Sequence, residues 1–178
     1  MCASSSSGSS RPDDDGLGLA QGTLKLVDHD PRWAMAFAAE ARHLSTLLPP
    51  GAEIHHIGST AVPGLLAKPI LDLGLALPAT LHEDAVRAMV ADDYIDRGER
   101  SGRLLIRLRD GKVRTHNLHL YPTRDVRLTE QIAFRDRLRA DPALRAAYAA
   151  DKRRIVESGT ARRDYADAKT AFIRAALA

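Results

Sequence analysis

Asp72 sits inside the apolar run Ile70 to Leu77, where a carboxylate is costly to bury unless a cation, a metal ion or hydrogen-bond donors meet it. The residue two positions on is Gly74, so strand geometry leaves space on the same face beside the carboxylate instead of a side chain. Upstream, Gly58-Ser59-Thr60 follows the short strand predicted at Glu53 to Ile57; such a turn offers backbone N–H groups and two hydroxyls to a phosphate, as anion nests do. Lys68 stands in the intervening loop and adds a cation. The lysine P-loop pattern GxxxxGK[ST] is absent, so any phosphate is held by the turn itself. Two readings of Asp72 stand open: a functional carboxylate facing a ligand, or a structural one satisfied by backbone N–H groups or Lys68.

Further candidates lie downstream. His116 and His119 flank Asn117-Leu118; in a strand Asn117 and His119 share a face and His116 points the other way, so His119 is the candidate metal ligand beside Asp72, its alternative being a packed, hydrogen-bonded histidine. His55 and His56 fall on opposite faces of their strand, and His56 shares parity with Gly58. Arg97, Arg100, Arg103, Arg107 and Arg109 make one region basic. Arg103, Arg107 and Arg109 share a strand face with Leu105, opposite Leu104, Ile106 and Leu108, which suits either bidentate pairing with phosphate or a charge-protected sheet edge. Arg135 and Arg139 share a helical face, where surface ion pairing with Asp136 is the simplest account.

The elements that must position these groups can be read from pattern. Asp30-Pro31 opens a helix carrying Trp33, Phe37, Leu44 and Leu48 on one face, closed by Pro49-Pro50-Gly51. Strands follow at Glu53 to Ile57 and Ile70 to Leu77, the latter with Leu71, Leu73, Leu75 and Leu77 on one face. Thr80 with Glu83 predicts a capping box and a helix through Leu81, Ala85 and Met89 that ends near Asp93. After a polar turn around Gly98, Asp110-Gly111 joins Arg103 to Arg109 and Lys112 to Tyr121 as a hairpin. Helices are predicted near Leu128 to Arg139, Pro142 to Glu157 and Ala161 to Ala176. This order predicts an α+β domain, a mixed sheet covered by helices with a C-terminal helical portion.

The chain has 178 residues, with 26 Lys and Arg against 23 Asp and Glu, a surplus suited to a small anionic ligand rather than a nucleic-acid coat. Aromatic residues make up only 4%, which counts against single-strand RNA readers built on stacking platforms. Cys2 is the sole cysteine, so disulfide frameworks, CxxC redox pairs and cysteine zinc sites are excluded. Residues 1–22 are rich in Ser, Gly and Asp and read as a solvated tail, leaving 23–178 as one domain. No bilayer-length apolar run or signal-peptide pattern is present, so a cytoplasmic setting without membrane partners is expected.

The block His55-His-Ile-Gly-Ser-Thr-Ala-Val-Pro-Gly-Leu-Leu-Ala-Lys-Pro-Ile-Leu-Asp-Leu-Gly-Leu75 resembles the signature of the GrpB family (UPF0157), small proteins assigned to the nucleotidyltransferase superfamily and also found fused behind dephospho-CoA kinase domains. Asn117-Leu118-His119-Leu120, Phe134-Arg135-Asp136 with Leu138-Arg139, and Tyr165 with Lys169 and Phe172 extend the resemblance over nearly all of the chain after Thr23. The resemblance implies a nucleotidyltransferase-like fold in which Gly58, Ser59 and Thr60 grip a triphosphate, helped by Lys68, Arg103 and Arg107. Asp72, with His119 as a substitute ligand, would hold magnesium or manganese. It further implies a nucleoside triphosphate and a small acceptor as partners, or a non-catalytic nucleotide- or anion-binding module serving a CoA-pathway partner. The sequence departs from the superfamily in one respect: Gly74 stands where a second acidic residue belongs, and two divalent ions need several anionic oxygens.

Overall fold

The computed structural model describes residues 15–100, 102–161 and 164–177; the expectations for Arg162, Arg163 and the first fourteen residues lie outside that set. The elements run β1 (Leu19–Ala20), α1 (Arg32–Leu47), β2 (Glu53–Ile57), β3 (Leu71–Leu77), α2 (His82–Ala91), β4 (Tyr94–Arg100), β5 (Gly102–Arg109), β6 (Val113–Pro122), α3 (Val126–Ala140), α4 (Pro142–Glu157), α5 (Tyr165–Ala168) and α6 (Thr170–Leu177). The sheet order is β2-β3-β6-β5-β4, with β1 pairing the start of β6. Only the β3–β6 pair is parallel, so the sheet is mixed, as the pattern of elements predicts.

Register decides what each face carries. Leu73 opposes Leu118 and Leu75 opposes Leu120, and these leucines with Leu71, Leu77 and Leu105 bury under Trp33 and Leu44 of α1 and Ala85, Val86 and Met89 of α2. On the other face Asp72 opposes Asn117, Gly74 opposes His119 and Ala76 opposes Tyr121. That face receives Leu128 and Ile132 of α3 against Ile57, Ala76 and Tyr121. A third cluster joins Val62, Leu65 and Leu66 of the loop to Phe134, Leu138, Tyr148 and Ala176, tying α3, α4 and α6 to the loop that follows the Gly58 turn. No helix among the described residues is long and apolar enough to cross a membrane.

Four details differ from the sequence expectations. Residues 15–22 belong to the fold: Leu17 and Leu19 are buried, β1 pairs with Val113 and Arg114, and the Trp33 indole N–H donates to the Gly16 carbonyl at 3.1 Å. Tyr94–Arg100 is an edge strand rather than a turn, because backbone pairing with β5 outweighs its charged composition; the register shifts between Asp96 and Glu99 around Gly98, whose φ is +75°. Thr80 caps nothing: a 3-10 turn at Ala79–Leu81 precedes α2, and the Glu83 carboxylate pairs with Arg103. The predicted final helix is broken at Lys169 into α5 and α6. The hairpin turn is as expected, with Asp110 and Gly111 both at positive φ.

On the α1/α2 face, the buried Arg107 guanidinium donates to Glu40 Oε1 at 2.7 Å, to Asp92 Oδ2 at 2.6 Å and to the Asp92 carbonyl at 3.0 Å, and it lies 4.2 Å from the centre of the Tyr94 ring. Tyr94 donates its hydroxyl to the same Glu40 oxygen at 2.9 Å. The network joins α1 to β4, β5 and the end of α2. Arg107→Met leaves Glu40 buried without its cation, so it should lower unfolding free energy by about 3 kcal/mol or more, read from the urea midpoint at unchanged slope. A loss under about 1 kcal/mol would contradict this.

Candidate functional site

Gly58 ends β2 with φ +69° and ψ −171°, a backbone region that is essentially glycine's own. The glycine lies flat over Asp72: a methyl group added to it would fall 2.5 Å from Asp72 Oδ2. Ser59–Ala61 then forms a single 3-10 turn. Two arginines of α3 hold the carbonyls on either side of the turn. Arg135 donates to the His56 carbonyl at 2.8 Å, and Arg139 donates through Nε and Nη2 to the Ala61 carbonyl at 2.9 and 2.7 Å. The sequence reading assigned these arginines to surface ion pairing with Asp136; they do pair with it, but their second role is to brace the turn.

His56 is buried behind the turn on the α1 face, stacked on Phe37 with ring centres 4.6 Å apart, and its Nε2 lies 3.1 Å from Thr60 Oγ1. Burial pulls its pKa down to about 4, so the ring is neutral at neutral pH. Thr60 is likewise buried and turned inward, leaving Ser59 as the half-exposed hydroxyl of the turn. His55 lies 3.6 Å from Glu53. His116 is buried on the opposite sheet face from Asn117 and meets Thr115 Oγ1 at 2.9 Å.

Asp72 is half-buried, and its Oδ1 accepts from the Asn117 side-chain amide at 2.8 Å across the parallel β3–β6 pair. The Asn117 oxygen in turn accepts from Arg114 at 3.3 Å. Of the two structural partners foreseen for the carboxylate, backbone N–H groups and Lys68, neither is the donor seen at Oδ1, which is an amide from the neighbouring strand. His119 shares this face, and burial lowers its pKa, keeping its imidazole neutral.

The third component comes from α4 and the C-terminal helices. Lys152 is fully buried, and its ammonium donates to Ser59 Oγ at 3.0 Å and to the Leu66 carbonyl, with the Tyr148 ring 5.2 Å away. Lys68 and Lys169 lie 5.0 and 4.6 Å from the centre of the Tyr165 ring. Burial pulls the Lys152 pKa down to about 6, with Lys169 and Lys68 pushing the same way and Asp72 opposing. Lys169 falls to about 8 for the same reasons: burial first, then Lys68, again opposed by Asp72. Burial pushes the Tyr148 and Tyr165 hydroxyls the other way, so both stay protonated. The site therefore sets Asp72 under a glycine turn, with Ser59 Oγ bonded to Lys152 and with Lys152 and Lys169 both within electrostatic reach of the carboxylate.

Arg103 and Arg107 are not brought to it. They lie on the α1/α2 face with Leu105, Arg107 in its Glu40 network and Arg103 held by Asp96 at 2.6 Å and by Glu83. Arg109 pairs with Asp15 at 3.1 Å. Single-sided arginines that suit phosphate are here consumed by carboxylates of neighbouring elements. The space beside Gly74 is not open either. Leu128 Cδ1 stands 2.4 Å from where a Cβ would be, and Ile57 Cδ1 stands 3.4 Å from it.

A magnesium or manganese ion does not fit these residues. The position two beyond Asp72 is packed by a leucine, and the Asp72 oxygen facing Asn117 receives an N–H donor. The charges around the carboxylate are ammonium groups, whereas hard cations need several oxygen ligands. Asp72 and His119 belong to no group of three or more metal-ligating side chains among the described residues.

A mixed sheet with helices on both faces and a braced Gly-Ser-Thr turn over Asp72 define an α+β domain. A family model described as GrpB protein matches residues 23–178, and the chain belongs to that family. A UPF0157 protein of Streptomyces coelicolor is 36% identical over 176 residues, covering 96% of this chain and 93% of the relative. A UPF0157 protein of Halalkalibacterium halodurans is 31% identical over 164 residues, covering 85% and 80%. The crystal structure of conserved protein GrpB from Enterococcus faecalis superposes with a TM-score of 0.74 at 30% identity, covering 85% of this chain and 94% of that one.

Sequence reasoning overlooked Lys152 and the bracing role of Arg135 and Arg139, whereas Tyr148 is packed in the core as its helical face predicts. A usable signal was present: Lys152 lies four residues after Tyr148 and three before Ile155, on the buried face of α4. Because Lys152 and Lys169 have folded pKa values below the ordinary 10.5, the folded state binds fewer protons and gains stability as pH rises from about 6. The thermal midpoint of the ligand-free protein should therefore climb from about pH 6 to about pH 9, and Lys152→Met should flatten that climb. A level or falling midpoint in the parent protein would refute the assignment. Separately, Gly58→Ala should cost about 2 kcal/mol or more in chemical denaturation, from backbone strain plus the contact with Asp72.

Proposed function

We propose that the protein is a binding module for a phosphorylated small molecule of the nucleoside triphosphate kind, seated over the Gly58-Ser59 turn and faced by Lys68, Lys152 and Lys169. The observation that carries this reading is the buried Lys152 ammonium donating to the exposed side of the turn at Ser59 Oγ. Burial strips this lysine of its proton near neutral pH, and an arriving anion would restore the charge. The braced turn supports the same reading, because a fixed turn presents its N–H groups without reorganising.

Transfer of a nucleotidyl group to an acceptor would run as in-line attack at the α-phosphorus with pyrophosphate leaving, and it calls for a second acidic residue. Leu128 over Gly74 speaks for the non-catalytic alternative. That alternative sits with a cytoplasmic setting, where such ligands are held, and with a CoA-pathway partner of the sort the family's fusions imply.

Calorimetric titration with ATP, GTP, CTP and UTP tests the proposal. Binding of at least one at about micromolar affinity is expected, weakened about tenfold or more in Lys152→Met and without pyrophosphate release. If no nucleotide binds, the site has another ligand. Pyrophosphate release that vanishes in Asp72→Asn would restore the transferase reading.

A further inference from the structure

Resting on the reading just given, we infer that the ligand is taken up as a metal-free phosphate anion, neutralised by the side chains of Lys68, Lys152 and Lys169 in place of a divalent cation. Three separate geometric facts lead there.

The first concerns the missing carboxylate. An aspartate at position 74 would have to displace Leu128, whose methyl group occupies the Cβ position at 2.4 Å, and Leu128 is itself buried in the cluster of Ile57, Ala76 and Tyr121. The slot has been given over to apolar packing rather than left vacant. The second concerns orientation. Asn117 has its oxygen toward Arg114 and its N–H toward Asp72, so the amide adds a donor to the carboxylate where a metal site would need another acceptor. The third concerns charge. Lys152 is fully buried, Lys68 and Lys169 converge on the same Tyr165 ring, and one half-exposed carboxylate faces them. A divalent cation entering this hollow meets one amide-bonded carboxylate and repulsion from whichever of these lysines holds its proton. A phosphate monoester or polyphosphate terminus meets the reverse and can accept hydrogen bonds from each ammonium. The depressed lysine pKa values fit this, since an arriving anion would restore their protons.

Lysine is suited to the task. Its compact ammonium neutralises phosphate as a point charge with three donors, without the fixed fork of arginine, and Tyr165 and Tyr148 offer their ring faces to hold it. The ligand class follows: a phosphate-bearing anion whose phosphate is not locked in a magnesium complex. Magnesium would then act against binding, because it competes for the same oxygens.

Calorimetry on the full chain with inorganic tripolyphosphate and with ATP, each in EDTA and in excess magnesium, tests this. The expected result is binding in EDTA at an affinity equal to or tighter than in magnesium. Lys68→Met and Lys169→Met should each weaken the EDTA titration about tenfold, and as half-buried residues they can be changed without emptying the core. Binding that appears only when magnesium is present overturns this inference but leaves the nucleotide-binding reading intact. Absence of binding in both conditions overturns the two together. Binding in EDTA that is unaffected by either lysine variant places the anion elsewhere and also overturns it.

Discussion

Gly58 lies flat on the carboxylate of Asp72, and much else in this half of the molecule depends on that contact. No residue with a Cβ fits between the end of β2 and the middle of β3, and no other residue adopts the backbone angles at that point without strain. Because the glycine closes one side of Asp72, the carboxylate turns its hydrogen-bonding capacity sideways to Asn117 of β6. Because the chain reverses directly after the glycine, Ser59 emerges half-exposed while Thr60 and His56 fold inward on each other. The turn would be loose without outside support. Arg135 and Arg139 supply it by gripping carbonyls on each side of the turn from α3.

The two faces of the sheet solve the problem of buried charge in different ways. On the α1/α2 face the two strand arginines are matched locally: Arg107 with Glu40 and Asp92, Arg103 with Asp96 and Glu83. Such a network orders the helices but has little left to offer a ligand. On the other face Lys152 and Lys169 lie within electrostatic reach of Asp72, and burial pulls both of their pKa values down. Stored cationic capacity of that kind is costly to the free protein and becomes favourable only when an anion arrives.

Much of the architecture could be read from residue pattern. The strands at Glu53–Ile57 and Leu71–Leu77, the Asp110-Gly111 hairpin and the helix opened by Asp141-Pro142 follow from period-two alternation, a left-handed turn pair and an N-cap followed by proline. Less readable was Tyr94–Arg100, because an edge strand owes its existence to the neighbour it pairs with and its charged residues look like loop. Leu19–Ala20 was missed for a similar reason: two residues carry no periodicity, and only their docking on β6 makes them a strand. In the site, Gly58, Ser59, Asp72 and Lys68 were visible from local spacing, whereas Asn117 was read only as sharing a strand face with His119. Lys152 was not visible, since a lysine within a helix reads as solvated until the tertiary packing shows what covers it.

By itself the sequence determined the class of fold, the family and the presence of a glycine turn ahead of one aspartate, because these are local signals repeated at short range. Tertiary structure decided the direction in which the site works. Period-two geometry left room beside Asp72 at Gly74, and only the docking of α3 shows that Leu128 fills it. Strand parity made Arg103 and Arg107 candidate phosphate ligands, and only the packing of α1 and α2 shows carboxylates already bound to them. Lys152 reaches Ser59 across 93 residues of chain. Contacts of that separation depend on how helices pack against the sheet, and spacing along the chain carries no record of that packing.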